Sequence, residues 1–111
     1  VRDFWSYGKS EDLTNEQLIA EEYQGIRPAP GYPACPDHSE KDKIWKLLTP
    51  DKNLGVTLTE SKMMNPASSV CGWYFSSAKA KYFSVGTIGD DQLEIYAKEK
   101  NMSVDDVKRW I

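Results

Sequence analysis

The chain has 111 residues, 28% of them charged, and a formal net charge of −3. That length supports one small domain with a modest core, and Lys and Arg scattered among carboxylates exclude the basic stripe of a nucleic-acid binder. No apolar run reaches the roughly 18 residues of a membrane helix, no charged-then-apolar signal segment opens the chain, and the first residue is Val1 rather than Met, so the expectation is a cytoplasmic piece of a longer protein. Val1 to Tyr7 has the apolar spacing of the tail of a helix, stopped by Gly8. Thr14-Asn15-Glu16-Gln17 matches a capping box, in which each end satisfies an early backbone N–H of the other. It predicts an amphipathic helix carrying Leu18, Ile19 and Tyr23 to about Gln24, ended by Gly25.

The segment Ile26 to His38 holds four prolines, at 28, 30, 33 and 36. Proline fixes φ, removes a donor and biases the preceding residue to an extended conformation, so this stretch is a rigid but irregular loop. A second helix is predicted from Ser39 or Glu40 to about Leu48, with Ile44, Leu47 and Leu48 inward and Pro50 blocking its continuation. Val56 to Thr59 reads as a short strand. Ser69 to Phe75 and Tyr82 to Ile88 read as two longer ones, joined as a hairpin through Ser76 to Ala80. Asp90 or Asp91 caps a helix with Leu93, Tyr96 and Ala97 inward and Asn101 at its end, and Ser103 caps a last helix through Trp110. Helices and an antiparallel sheet in separate blocks predict an α+β fold.

Candidate chemistry is sparse. Cys35 and His38, the one histidine, lie three residues apart, yet a zinc site needs about four ligands and no paired cysteine spacing supplies them. A Cys35/His38 nucleophilic pair lacks an electropositive setting for the thiol, and Cys71 reads as a small core residue. Two cysteines are too few for a disulfide-dependent domain, so both are expected as free thiols. The proline-rich loop carries the strongest signal. Gly31 lets backbone approach a ligand without a Cβ in the way, and amides and carbonyls outside secondary structure can read the edge of a heterocycle. Arg27 offers a planar fork for a carboxylate, and Tyr32 a ring to stack on. The same residues also suit an irregular structural loop with a surface arginine.

The run Arg27-Pro28-Ala29-Pro30-Gly31-Tyr32-Pro33-Ala34-Cys35-Pro36-Asp37-His38-Ser39-Glu40-Lys41 resembles the signature loop of the reactivation domain of cobalamin-dependent methionine synthases, where Arg, three residues, Gly and Tyr form the S-adenosylmethionine site. The resemblance continues in Leu18 to Glu21, Tyr23 to Gly25, Leu58 to Ser61, Gly72 to Ser76, Lys81-Tyr82 and Met102 to Val104, in order and over nearly the whole chain. It implies a C-shaped α+β fold around a bent antiparallel sheet, of which residues 1–111 are the C-terminal portion. It implies that Arg27 pairs with the ligand carboxylate, that the backbone at Ala29 and Gly31 holds its polar groups, and that Tyr32 and Tyr82 shape the pocket. Phe83 stands where the family often has a second tyrosine, so packing is expected there without a hydroxyl.

The resemblance further implies that S-adenosylmethionine is the methyl donor for reductive methylation of cob(II)alamin, and that cobalamin and zinc are held elsewhere in the parent methyltransferase. Expected partners are the cobalamin-binding module of the same chain and flavodoxin or a related reductase, with neither nucleic acid nor membrane. No residue of this chain is expected to be catalytic or to bind metal. The family also uses an aspartate from an earlier part of the domain, so this chain alone is expected to bind weakly, and an uncovered sheet edge to favour self-association. The alternatives are a stand-alone interaction module that displays the proline-rich loop, and a small metal or thiol enzyme using Cys35 and His38.

Overall fold

The computed structural model describes residues 1–8 and 11–111. The chain forms two compact units, one of Val1–Arg27 with Trp73–Tyr82, the other of Pro28–Gly72 with Phe83–Ile111.

In the first unit the capping box forms as expected. Thr14 Oγ1 accepts from the Gln17 N–H at 3.3 Å and Gln17 Oε1 accepts from the Thr14 N–H at 2.9 Å. Helix α1, however, spans only Asn15–Ile19, short of the predicted end at Gln24. None of its residues is buried, and a helix this short gains little without an apolar face to pack. Glu21 turns the chain out of it at φ +59°. Residues 1–7 form successive turns rather than a helix, with Phe4 and Trp5 exposed. Arg2 ties this start to the rest of the unit: it pairs with Glu11, donates to the Gln24 carbonyl at 3.3 Å and lies over the Tyr7 and Tyr23 rings. The buried Ile26 bridges Phe75 antiparallel, through hydrogen bonds of 2.9 and 3.0 Å.

The second unit begins with the proline-rich loop and turns into helix through Asp37, whose carboxylate accepts from the Ser39 N–H at 2.7 Å. A 3-10 turn, His38–Glu40, leads into α2, Lys41–Leu48. Ile44 is buried as expected, but Leu47 and Leu48 are exposed. The helix turns Lys41, Ile44 and Trp45 inward instead, with Trp45 Nε1 donating to the Val56 carbonyl at 3.1 Å. Pro50 starts a helix rather than blocking one: Thr49 adopts φ +44° and Pro50 opens α3, Pro50–Leu54. Proline at the first helical position loses no hydrogen bond there. The strand expected at 56–59 forms as β1, Thr57–Leu58, paired antiparallel with β2, Met64–Asn65, in the register Thr57 with Asn65 and Leu58 with Met64.

The long hairpin of 69–75 and 82–88 does not form. Phe75 pairs with Ile26, and the Val85 N–H donates to the Pro33 carbonyl at 2.9 Å, so neither segment finds its ladder in the other. The last two helices match the sequence. α4, Asp90–Lys100, is capped by Gly89 rather than by Asp90 or Asp91, with the Gly89 N–H on Gln92 Oε1, and ends at Asn101, which is left-handed at φ +54°. Ser103 Oγ accepts from the Asp106 N–H at 3.1 Å and caps α5, Val104–Trp110. Leu93, Ala97 and Val107 are buried between α4 and α5, with Ile88, Tyr96, Met102 and Val104 packed around them. Burial of Leu93 and of Val107 contributes about 1.5–3 kcal/mol each, and this core fixes α4 as the wall against which the loop is held. Helices with a small antiparallel sheet make the fold α+β. Among the described residues no helix is long and apolar enough to cross a membrane.

Candidate functional site

In the first unit Arg27 is ringed by tyrosines. Its guanidinium lies 5.7 Å from the Tyr23 ring centroid, a separation at which the ring face attracts a cation. Its backbone N–H donates to the Tyr82 hydroxyl at 2.8 Å. Burial alone would lower its pKa, but the hydroxyls of Tyr82 and Tyr74 beside it raise it instead, so the group is permanently cationic. Burial also pushes the Tyr23 hydroxyl up, with Tyr82 adding to the effect, which keeps that ring neutral. Among the described residues Arg27 makes no ion pair with a carboxylate. Tyr82 and Ile26 also border a polar cavity of about 470 Å³ lined by Glu11, Glu21 and Glu22. Arg27 and Tyr82, both named as ligand contacts by the resemblance, are thus joined by a hydrogen bond, and Tyr23 beside them was assigned to a helix.

In the second unit Gly31 makes the turn on which Ala29 and Tyr32 stand. Its φ is +93°, and a Cβ there would run into the His38 imidazole. The Gly31 N–H donates to the Cys35 carbonyl and the Cys35 N–H to the Tyr32 carbonyl, both at 2.8 Å. The loop thus uses some of the amides that the sequence left open for a ligand. Among the loop's backbone groups without a hydrogen bond in the described residues are the Ala29 N–H and the Gly31 carbonyl. Gly72 packs under this backbone, where a Cβ would stand 2.8 Å from the Pro28 carbonyl oxygen. Tyr32 and Phe83 are exposed, at 64% and 60%, and the bond from Val85 to Pro33 lays the Phe83 segment along the loop.

The downstream end of the loop is anchored by a cluster that the sequence did not reveal. Lys100 Nζ reaches Asp37 Oδ2 and Ser39 Oγ at 2.6 Å and Glu40 Oε1 at 2.8 Å, and the Tyr96 hydroxyl donates to Asp37 Oδ2 at 2.7 Å. Burial would lower the Lys100 pKa, but Asp37 and Glu40 raise it well above the ordinary lysine value. Burial and the Asp37 carboxylate push Tyr96 up. Lys41, also buried, donates to the Lys62 carbonyl at 2.8 Å and sits 3.0 Å from His38 Nδ1.

Neither cysteine is activated. Burial pushes the Cys35 thiol up and the carboxylates of Glu40 and Asp37 push it further, while burial raises Cys71. Both cysteines are free. Among the described residues no three His, Cys, Asp or Glu side chains cluster as a metal site. The first unit thus offers a cation suited to a carboxylate, and the second, by itself, open backbone polar atoms and exposed aromatic faces.

The profile of the family described as the vitamin B12 dependent methionine synthase activation domain matches residues 1–101. A solved structure described as the crystal structure of the MetH reactivation domain bound to AdoHcy is similar over 99% of this chain, with 57% sequence identity and a TM-score of 0.89. The chain spans about a third, 34%, of the length of that structure.

Proposed function

The chain belongs to the vitamin B12 dependent methionine synthase activation-domain family, and from that premise we propose that it forms the C-terminal portion of a reactivation domain and supplies part of its S-adenosylmethionine site. The observation that carries this reading is the Arg27 guanidinium, cationic, set against the Tyr23 ring and without a carboxylate partner among the described residues. An exposed cation set against half-buried tyrosines, with no carboxylate partner among the described residues, suits the carboxylate of an amino-acid ligand. In the other unit the strained Gly31 turn leaves a backbone donor at Ala29 and an acceptor at Gly31, complementary to the edge of an adenine ring. Tyr32, Tyr82 and Phe83 give the ligand apolar faces. Similarity to a protein bound to AdoHcy supports the same ligand class.

In this reading the protein's part is placement. S-adenosylmethionine, when bound, supplies a methyl group on a positively charged sulfur that is ready to be transferred. Arg27 suits a two-pronged ion pair with the ligand carboxylate, and the Gly31 turn, in its own unit, offers backbone polar atoms suited to a heterocycle edge. Cobalamin belongs to another module of the parent methyltransferase, as zinc does, and is the acceptor of the methyl group. The electron for cob(II)alamin comes from flavodoxin or a related reductase, and the parent enzyme works in the cytoplasm. The aspartate expected from another part of the domain completes the ligand's ammonium contacts, so the intact enzyme is the proper test object.

Calorimetric titration of S-adenosylmethionine into the intact enzyme tests the site. Arg27→Ala is expected to weaken binding on the order of tenfold to a hundredfold, the worth of a charge-assisted pair, with Arg27→Lys in between because an ammonium cannot reproduce the fork. Unchanged affinity in Arg27→Ala would remove the carboxylate role. The reading of the loop as a polyproline display for a protein partner gains no support, since Pro28 and Pro30 are buried.

A further inference from the structure

We propose that Lys100 is a positioning residue for the ligand loop: from the last turn of α4 it clamps Asp37, Ser39 and Glu40, and through His38 this clamp sets where the Gly31 turn stands. The inference rests on the reading of that loop as a ligand site, and it adds a residue that touches no ligand.

Three observations within the second unit carry it. The first is saturation. Lys100 Nζ has three donors, and three acceptors from the loop's end take them, at 2.6, 2.6 and 2.8 Å. Asp37 is equally consumed, with Oδ1 on the Ser39 N–H and Oδ2 on Lys100 and Tyr96. Lys100 has no donor left for a ligand, and Asp37 Oδ2 is filled by Lys100 and Tyr96.

The second is burial. The Lys100, Asp37 and Glu40 side chains are 13%, 7% and 15% exposed. An ion pair taken this far out of water gains little net stability over an apolar plug of the same volume, because desolvation offsets the attraction. It does impose one geometry, since only one arrangement satisfies every donor and acceptor. Holding α4 to a loop by the costlier device makes sense where the loop's position matters.

The third is transmission. His38 follows Asp37 directly, and its ring is held at Nδ1 by Lys41, which is itself fixed to the Lys62 carbonyl. That ring occupies the space beside the Gly31 Cα that a Cβ would need. A displacement of residues 37–40 therefore pushes or frees Gly31 by hard contact, and with it the Ala29 and Gly31 backbone atoms. Sequence gives no hint of this, because Asp37 and Lys100 are 63 positions apart.

The test uses the intact enzyme and AdoHcy as probe, titrated well below the unfolding temperature. Lys100→Met is compared with Val107→Ala, which weakens the α4–α5 core without touching the loop, the two being matched for loss of thermal midpoint. Lys100→Met is expected to weaken AdoHcy on the order of tenfold to a hundredfold, as misplacement of a site by a distant change does, whereas Val107→Ala stays within about twofold of wild type. Equal weakening in both variants, or none in Lys100→Met, overturns the positioning role. Should Lys100→Met not fold, Tyr96→Phe removes a single hydroxyl from the same clamp. A loss of about threefold to tenfold is then expected, and unchanged affinity overturns the proposal. If the wild-type enzyme fails to bind AdoHcy, the ligand-site reading falls first and this inference with it. Wild-type binding that Arg27→Ala abolishes and Lys100→Met leaves alone sinks only the clamp.

Discussion

Gly31→Ala tests the loop geometry through two separable costs. At φ +93° the backbone lies in the region that L side chains rarely adopt, which costs a residue with a Cβ about 1–2 kcal/mol. Reduced freedom of alanine in the unfolded chain returns about 0.4–1 kcal/mol of that. The second cost is collision, because the new Cβ meets the His38 ring on three of its atoms. The ring must move, and its contact with the buried Lys41 ammonium, 3.0 Å from Nδ1, is lost or strained. A hydrogen bond to a charged group is worth about 1.5–3 kcal/mol, so the whole change should cost about 2–4 kcal/mol. Urea unfolding of the 111-residue chain measures it. Repeating the substitution in a His38→Ala background separates the terms: with the ring gone only the backbone cost remains, so Gly31→Ala should then cost less than about 1.5 kcal/mol. A cost under about 0.5 kcal/mol in the wild-type background, or strict additivity of the two substitutions, would refute the reasoning.

Two further outcomes follow from the second unit. The Asp37 carboxyl is subject to burial, which raises its pKa, but Lys100, Ser39 and Tyr96 outweigh this and hold it below the ordinary 3.8; Glu40 is held below 4.5 in the same way by Lys100 and Lys43. A depressed folded pKa gives stability that is present above the unfolded value and lost as pH falls through the folded one, so stability should fall as pH drops below about 5. Asp37→Asn should flatten that dependence, and an unchanged acid slope would argue against a charged clamp. Val107 is 2% exposed between α4 and α5. Val107→Ala removes two methyl groups and leaves a cavity, at a cost of about 2–3 kcal/mol in the same urea assay; a loss under about 0.5 kcal/mol would mean that this core is not packed as described.

What the sequence made legible was whatever is encoded within a few residues. Thr14 with Gln17, Asn101 and Ser103 are local capping signals, and each appears where its chemistry requires. Gly31 and Arg27 were legible for the same reason, since a backbone need and a planar cation belong to the residue type. Pairing is not local. The alternating stretches at 69–75 and 82–88 have the composition of strands, yet a strand is made by its neighbour, and Phe75 finds Ile26 while Val85 reaches Pro33. Helix phase failed at Leu47 and Leu48 because apolar spacing alone did not reveal that Lys41 and Trp45, through hydrogen bonds to Lys62 and Val56, would claim the inner face. Pro50 was read as a barrier, although the same lack of an N–H suits it to open a helix. Of the candidate site, Arg27, Gly31 and Tyr82 could be proposed from the sequence, whereas Tyr23, Lys41, Tyr96 and Lys100, which pack or bond around them, could not. Their partners lie far along the chain.

The most direct test of the central claim is methyl transfer in the intact enzyme. With labelled S-adenosylmethionine and an electron donor, label should appear on cobalamin in the wild type and fall on the order of tenfold or more in Arg27→Ala at limiting ligand, while turnover with methyltetrahydrofolate and homocysteine stays unchanged. Label transfer that survives Arg27→Ala in full, or a loss that falls equally on both reactions, would contradict a role for this chain in holding the methyl donor for reactivation.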